Sequence, residues 1–212
     1  MVSMYRANIS KTIENLKKRG FTPFFVENAE QASDLVEKIL EKDAVLGFGG
    51  SVTIEQIGLL DRLATSRKNI TLLHRDLMDK EGLEKSKQYE IMHTAPWFAS
   101  SANAISETGE IINVDGRGNR VAKSLFGTSN YICIAGVNKI VPSVEQGLQR
   151  VREIAAPLNI KKLNRTTPCL EKRTCDDCPS QSNICRATVI LNMMPSSFEN
   201  FFVILINQSL GF

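Results

Sequence analysis

Short apolar runs alternate with amphipathic stretches along nearly the whole chain, and this alternation most constrains the fold. Runs such as 131–135 and 202–206 are continuously apolar, whereas a stretch such as 4–19 carries its apolar residues three and four positions apart. Continuously apolar strands are typical of parallel sheets that are buried on both faces and connected by helices. The sequence therefore predicts an α/β fold with an open, mostly parallel sheet and helices on both faces.

The pattern also predicts the elements. Strands are predicted at 24–26, 44–46, 70–73, around 97–104, and at 111–114, 131–135, 189–191 and 202–206. Helices are predicted at 4–19, after Asn28, after Ser51, and near 75–92, 120–126 and 144–155. Because no internal repeat and no low-complexity linker interrupts this order, we expect a single domain over 1–212.

The charge balance excludes some classes of partner. The 26 basic and 23 acidic side chains give a formal charge of +3, which is too balanced for a nucleic-acid footprint or a membrane-surface patch. No apolar run approaches the roughly 18 residues that a membrane span requires, and the N-terminus turns polar at once. We expect a cytoplasmic protein that binds neither nucleic acid nor membrane.

Four of the five cysteines are clustered. They are Cys169, Cys175, Cys178 and Cys185. Four thiolates on a short polar loop can hold a tetrahedral zinc or a [4Fe–4S] cluster, because metal binding supplies the ordering energy that such a loop lacks. Two disulfides are the alternative, but a chain that is 42% hydrophobic can bury a core without them. We predict a metal loop at 168–186 as an excursion from the domain, whereas Cys133 belongs to an apolar run of the core.

The spacing leaves the metal open. Only Cys175 and Cys178 form a Cys-x-x-Cys pair, whereas zinc ribbons usually offer two such pairs. The loop does not match the bacterial ferredoxin spacing either, although Pro179 follows Cys178 as a proline follows the last cysteine of that motif. We favour a [4Fe–4S] cluster over zinc.

A glycine-rich turn follows the predicted strand 44–46. Gly47, Gly49 and Gly50 permit close approach to the backbone, and Ser51 can cap the next helix. Ligands of parallel sheets collect at the carboxyl ends of strands, where backbone N–H groups attract anions. The turn is therefore a candidate phosphate or carboxylate site, and a tight turn that binds nothing is the alternative.

A second polar cluster contains a candidate catalytic carboxylate. The pattern places Asn103 and Glu107 at the end of one strand, with Thr108 and Gly109 in the following turn. Glu107 is a candidate nucleophile or general base, and we expect it to face the same cleft as Ser51 and Asn103. The alternative is a solvated turn acid.

Together these motifs resemble the LUD family of lactate-utilisation proteins, especially its short bacterial and archaeal members. The matching segments are Gly47-x-Gly-Gly-Ser-x-Thr-Ile-Glu55-x-x-Gly58, Ala102-Asn103-Ala-Ile-x-Glu107-Thr-Gly109, Asp115-Gly-x-Gly-Asn119-Arg120, Val137-Asn138-Lys139-Ile-Val141 and the cysteine loop. Each motif is unspecific alone, but their order and combination are specific. The resemblance adds further residues to the predicted ligand site, namely Glu55, Thr108, Gly109, Asn119, Arg120, Asn138 and Lys139.

The resemblance implies a fold related to the superfamily of sugar-phosphate isomerases and coenzyme A transferases. The transferases carry a nucleophilic glutamate before an Asn-Gly pair, and Glu107 looks similar. However, Thr108 stands where the asparagine is expected. Longer family members like the small lactate subunit also lack the four-cysteine loop, so this chain departs from them.

Three functions follow as alternatives. The first is a redox-associated subunit in the utilisation of lactate or related organic acids, with other redox subunits as partners. The second is a transferase-like or isomerase-like enzyme that uses Glu107 on an anionic phosphate, coenzyme A or carboxylate substrate, with structural zinc in the loop. The third is a regulatory module that binds a small anionic ligand without turnover.

Overall fold

The computed structural model describes residues 7–172, 175, 178 and 181–212. Its helices are α1 (Ile9–Lys18), α2 (Ala29–Ile39), α3 (Val52–Gln56), α4 (Leu59–Ala64), α5 (Arg75–Lys80), α6 (Lys85–His93), α7 (Asn119–Leu125), α8 (Val144–Arg150), α9 (Ala156–Lys162) and α10 (Pro168–Lys172). Its strands are β1 (Thr22–Val26), β2 (Val45–Phe48), β3 (Thr71–Leu73), β4 (Trp97–Ser100), β5 (Ala104–Ser106), β6 (Ile111–Asp115), β7 (Asn130–Gly136), β8 (Ile140–Val141), β9 (Ala187–Leu191) and β10 (Asn200–Ile206). A 3₁₀ turn (Val137–Lys139) joins β7 to β8, and a π turn (Val151–Ala155) joins α8 to α9.

The main sheet has six strands in the order β1-β10-β7-β4-β2-β3, all parallel. Every residue of the central strand β7 is buried. Its side chains alternate, so that Ile132 and Ile134 join the core beneath α2, α3 and α4, whereas Tyr131 and Cys133 join the core on the side of α1. Helices thus cover both faces. The predicted α/β fold with an open, mostly parallel sheet is confirmed.

A second, mixed sheet was not predicted from the sequence. Its order is β8-β5-β6-β9, with antiparallel pairing between β5 and β6 and between β6 and β9. The stretch 97–104, predicted as one strand, divides because the chain leaves the main sheet after Ser100 and enters the second sheet at Ala104. Residues on both sides of this break are buried, so hydrophobicity does not reveal the change of sheet.

Glycines divide two predicted helices. Gly58 separates α3 from α4 and has a φ of +64°, and Gly82 lies between α5 and α6 with a φ of +73°. These left-handed conformations end an α-helix. In contrast, the helix predicted near 144–155 continues to Lys162. The π turn at its centre shifts the hydrogen-bond register just before Pro157, which has no backbone N–H to donate.

Side-chain caps set the start of the first two helices. The Asn28 Oδ1 accepts a hydrogen bond from the Gln31 N–H at 2.9 Å, which confirms the predicted cap of α2. Helix α1 begins at Ile9, because the Asn8 side chain accepts from the Lys11 N–H at 3.0 Å. The first residues of the helix predicted at 4–19 lie outside the described residues.

The cysteine-containing segment lies between α9 and β9, and α10 is part of it. Part of the predicted loop 168–186 lies outside the described residues. All five cysteines are free thiols, and Cys133 is buried as predicted for a core residue. Within the described part of the chain, every helix is too short or too polar to cross a lipid bilayer.

Candidate functional site

A cleft of about 570 Å³ opens at the carboxyl edge of the main sheet. Its walls come from segments that follow β2, β4 and β7, from the end of β6, and from α9. The chain brings these segments together because the carboxyl ends of parallel strands meet at one edge. A concave site at this edge is where an open α/β sheet binds its ligands.

The glycine turn after β2 forms part of this cleft. Gly50 lies in open space, since a Cβ added there would meet no atom within 4 Å. Gly49 packs beneath Arg120, whose Cγ would be 2.7 Å from such a Cβ, and Gly47 packs against Phe98 and backbone. The three predicted glycines therefore differ in role: Gly50 borders the cleft, whereas Gly47 and Gly49 permit close packing.

Ser51 caps the short helix that follows the turn. Its Oγ accepts a hydrogen bond from the Ile54 N–H at 3.2 Å, and Ser51 also lines the cleft. Helix α3 has only five residues. Its aligned peptide dipoles are too few to make a strong anion site by themselves. Any anion specificity of the cleft must come chiefly from its side chains.

Basic side chains dominate the cleft. Besides Lys139, the basic residues that line it among those described are Arg75, Arg117, Arg120, Lys162, Arg165 and Arg186. Glu55 and Asp115 are the carboxylate side chains on the same surface of the described chain. Both are engaged, because Glu55 pairs with Lys162 at 2.5 Å and Asp115 pairs with Arg120 at 3.2 Å. The remaining charge is positive and attracts anions.

Asp115 holds Arg120 and the loop before α7 in place. Its carboxylate accepts hydrogen bonds from the N–H groups of Arg117, Gly118 and Arg120 at 3.0–3.2 Å. Burial raises the pKa of Asp115, but the Arg120 guanidinium and these N–H donors outweigh burial and keep the pKa below its ordinary value. Arg120 also donates to the Val114 carbonyl at 2.7 Å. The guanidinium is thus a rigid cation at the edge of the cleft.

Lys139 is a buried amine on the cleft wall. It is 3% exposed, and its Nζ donates to the Thr53 Oγ1 and the Ser101 Oγ, both at 2.9 Å. Burial, reinforced by the Arg150 charge, lowers the pKa of Lys139 to about 7. The described residues offer it no carboxylate partner. A substantial fraction of this side chain is therefore a neutral amine near pH 7.

Two asparagines of the predicted site organise the backbone around the cleft. The Asn103 Oδ1 accepts from the Val114 N–H at 2.8 Å, and the Asn138 Oδ1 accepts from the Leu210 N–H at 3.0 Å. Arg150 donates hydrogen bonds to the backbone carbonyl oxygens of Asn103 at 2.6 Å and of Asn138 at 3.1 Å. Asn103 lines the cleft, whereas Asn138 does not line it and anchors the C-terminal segment.

Glu107 lies outside the cleft. Its carboxylate accepts from the Asn8 N–H at 2.7 Å and pairs with the Lys11 Nζ at 3.2 Å, so it packs against the start of α1. The expectation that it shares a cleft with Ser51 and Asn103 is wrong. Strand β5 runs away from the cleft in the second sheet, and at about 3.3 Å per residue Glu107 lies roughly 13 Å beyond Asn103.

Thr108 and Gly109, like Glu107, pack against α1. The Thr108 carbonyl accepts from the Arg19 Nε, and a Cβ on Gly109 would lie 2.8 Å from the Asn15 backbone. Both residues therefore serve the packing of α1 on the second sheet and do not line the cleft. The likeness of this segment to a transferase motif did not reveal which sheet it joins.

Comparison with known proteins identifies the family. The profile of the LUD domain matches residues 9–206. This chain belongs to the LUD domain family. The resemblance noted in the sequence is thereby confirmed over most of its length. A comparison with curated protein sequences finds no significant match.

A solved structure supports the fold of this LUD domain. The chain is similar to a DUF162 family protein from Deinococcus radiodurans, with a TM-score of 0.52 and 15% sequence identity. The similarity covers 94% of this chain and 96% of the other. At this identity, the comparison shows a common fold.

The cysteine segment of the LUD domain adjoins the cleft, since Cys185 lines it. Burial, followed by the nearby Cys175, Cys169 and Cys178 thiols, raises the pKa of Cys185 to about 11. The four cysteines belong to one segment of the chain, and four thiols suit zinc or iron. In the described residues, however, they are not arranged as a metal-ligand group. The predicted metal loop is thus not shown by the structure.

Sequence reasoning missed several residues of the LUD cleft. Asp115 and Lys162 line the cleft, although the sequence predicted no role there for either residue. His74 lines the cleft as well: its Nδ1 accepts a hydrogen bond from the Asp76 N–H at 3.2 Å, and its ring packs on Phe48. Arg75, Tyr89 and Arg117 were missed as well, because no local motif links them to the strand ends.

Proposed function

We propose that this LUD protein binds a small organic anion of the 2-hydroxy-acid or 2-oxo-acid class, as a subunit or enzyme of lactate or related organic-acid utilisation. The observation that carries the proposal is the cleft at the carboxyl edge of the sheet, where basic side chains outnumber carboxylates. Membership of the LUD family supports this class of ligand.

Arg120 is the group best placed to bind the carboxylate of such a ligand. Its Nε faces Asp115 and one Nη2 hydrogen faces the Val114 carbonyl, whereas its other N–H groups have no hydrogen-bond acceptor among the described residues. A guanidinium that is already fixed loses little side-chain entropy on binding. Charge-assisted hydrogen bonds from such a fork to a carboxylate are short and strong.

We further propose that Cys169, Cys175, Cys178 and Cys185 hold one metal centre. As a [4Fe–4S] cluster it would exchange single electrons, whereas zinc would order the loop. The clustering of the four cysteines in one segment of the sequence and the position of Cys185 on the cleft wall support this proposal. A cluster here would lie beside the bound organic anion, which suits a redox-associated subunit that passes electrons to a partner.

Substitution of Arg120 tests the anion site. We expect Arg120→Gln to weaken binding of lactate and pyruvate by roughly ten-fold or more, since a hydrogen bond to a charged group contributes about 1.5–3 kcal/mol. Isothermal titration calorimetry on the purified protein measures this. Arg62→Gln is the matched control, because Arg62 pairs with Asp34 and Glu37 away from the cleft.

The double variant Asp115→Asn/Arg120→Gln removes both charges of the buried pair, so no buried carboxylate is left without its partner. A loss of ligand binding in this variant can therefore be distinguished from a loss of folding stability. Equal affinities of wild-type protein and both Arg120 variants would contradict the assignment. Failure of lactate, pyruvate and phosphate to bind the wild-type protein would contradict the anion cleft itself.

Metal analysis tests the cysteine centre. We expect protein purified without oxygen to contain about four iron atoms and four sulfides per chain, or one zinc. Cys175→Ser should abolish stoichiometric metal, whereas Cys133→Ser, at a buried core position, should retain it. Metal-free protein with the four loop cysteines paired as disulfides would overturn this proposal and leave the anion cleft unaffected.

A further inference from the structure

The environment of Lys139 indicates a role other than attracting an anion by its charge. The other basic residues of the cleft are guanidiniums or, like Lys162, are paired with a carboxylate. Lys139 is instead enclosed by two hydroxyls, and its Nζ would lie 3.1 Å from a Cβ built on Gly211 of the C-terminal segment. Enclosure by hydroxyls and backbone suits a neutral amine better than an ammonium ion.

The hydrogen bonds of Lys139 match a neutral amine in number. An ammonium ion has three N–H donors, whereas a neutral primary amine has two donors and one lone pair. Among the described residues, Lys139 donates to two acceptors, the Thr53 Oγ1 and the Ser101 Oγ. With both N–H groups engaged, the lone pair is left for a reacting partner.

We propose that the Lys139 amine captures the carbonyl carbon of a 2-oxo acid as an imine, while the basic rim of the cleft binds the acid's carboxylate. This inference rests on the proposed function, because it needs an organic anion in the same cleft. It adds a covalent step and restricts the ligand to acids that carry a carbonyl beside the carboxylate.

The reaction is balanced by proton transfers alone. The Nζ lone pair forms a bond to the carbonyl carbon, and the carbonyl oxygen receives the proton that nitrogen loses, which gives a carbinolamine. The hydroxyl then leaves as water after taking a second proton from nitrogen, and a C=N bond forms. Thr53 and Ser101, which lie within hydrogen-bonding distance of Nζ, can relay these protons. No oxidant or reductant is consumed.

The charges around Lys139 favour this reactivity near neutral pH. After burial, Arg150 and Arg120 lower its pKa, and the nearby Cys133 thiol opposes them. An exposed lysine with an ordinary pKa of about 10.4 is neutral in only about one molecule in 10³ at pH 7. Capture should therefore increase as pH rises toward 7 and level off above it, because only the neutral amine is nucleophilic.

Reductive trapping tests the proposal. Full-length protein is incubated with pyruvate or glyoxylate and sodium cyanoborohydride, which reduces an imine to a stable secondary amine, and the modified peptides are located by mass spectrometry. We expect labelling of Lys139 to exceed that of exposed lysines by roughly ten-fold or more at pH 7. Lys139→Gln, which retains a donor toward Thr53 and Ser101, should lose this adduct.

Lys123 serves as an internal control within the same sample. It is also buried with a lowered pKa, but its Nζ donates to the carbonyls of His93 and Gly127, and it does not line the cleft. We expect little adduct at Lys123. Because this comparison is made in the wild-type protein, it stands even if Lys139→Gln fails to fold.

Ligand-induced thermal shifts in parallel samples separate the two proposals. Binding of pyruvate without an adduct at Lys139 would overturn the imine and leave the anion cleft standing. Equal labelling of Lys139 and surface lysines would overturn it as well. Absence of both binding and adduct would contradict the proposed function itself.

Discussion

Asp115→Asn is expected to lower the free energy of unfolding by about 3 kcal/mol at neutral pH, because it leaves the Arg120 charge without its buried partner. It also replaces an acceptor of three backbone N–H groups by an amide that can point only one oxygen at them. For a chain of this length, the melting temperature should fall by roughly 6–12 °C. Thermal or urea unfolding followed by circular dichroism measures the loss.

The same substitution should change the acid dependence of stability. The native pKa of Asp115 is below its ordinary value, so in the acid range the unfolded chain binds more protons than the native state. The contribution of Asp115 is therefore complete above the ordinary carboxyl pKa of about 3.9 and is lost as pH falls through the lower native value. The difference in the free energy of unfolding between wild type and Asp115→Asn should therefore decrease over this pH range.

Asp34→Asn is the matched control for Asp115. Asp34 pairs with Arg62 on the surface, where both side chains are about half exposed, and such pairs contribute no more than about 1 kcal/mol. A loss at Asp115 no larger than the loss at Asp34 would show that the buried carboxylate does not organise the loop.

Gly136→Ala is expected to lower the free energy of unfolding by about 2–3 kcal/mol through steric overlap. The φ of Gly136 is −71°, so alanine causes no backbone strain there. Its Cβ would lie 2.5 Å from both the Asn138 Oδ1 and the Gln208 carbonyl oxygen, and 2.8 Å from the Leu210 nitrogen. The backbone must move, and the turn that carries Lys139 moves with it.

Gly50→Ala provides the contrast. An added Cβ at Gly50 meets no atom within 4 Å, so the stability change should stay within about 0.5 kcal/mol. Unfolding curves of the two variants give this comparison directly, and titration with pyruvate should show weaker binding for Gly136→Ala. Equal stability of the two alanine variants would contradict the tight contact between the C-terminal segment and the end of β7.

Local sequence patterns were sufficient for the main features of the fold. The continuously apolar runs predicted the buried parallel strands, because a strand covered on both faces has no polar side. The side chains of Asn28 and Ser51 predicted helix starts, because an N-cap satisfies backbone N–H groups within the same few residues. Gly50 and Ser51 of the glycine turn lie at the cleft, because the turn follows a strand that ends at this edge of the sheet.

The tertiary structure decided what the local patterns could not. The stretch from Trp97 to Glu107 is buried throughout except near Asn103, so hydrophobicity gave no sign that the chain changes sheets within it. That change carries Glu107 to α1 and leaves Asn103 at the cleft. A residue's neighbours across a sheet depend on strand order, which short-range periodicity does not encode.

The candidate site shows the same division. The motif around Asn138 and Lys139 marked a segment of interest, but the lowered pKa of Lys139 comes from burial and from Arg150, eleven residues further along the chain. Its hydroxyl partners come from two other segments, since Thr53 lies in α3 and Ser101 directly follows β4. The sequence alone determined the fold class and the Asn28 and Ser51 caps, and it supplied candidate residues for the site. Only the tertiary structure determined which of them share a cleft, because burial and charge act through space between residues that are distant in the chain.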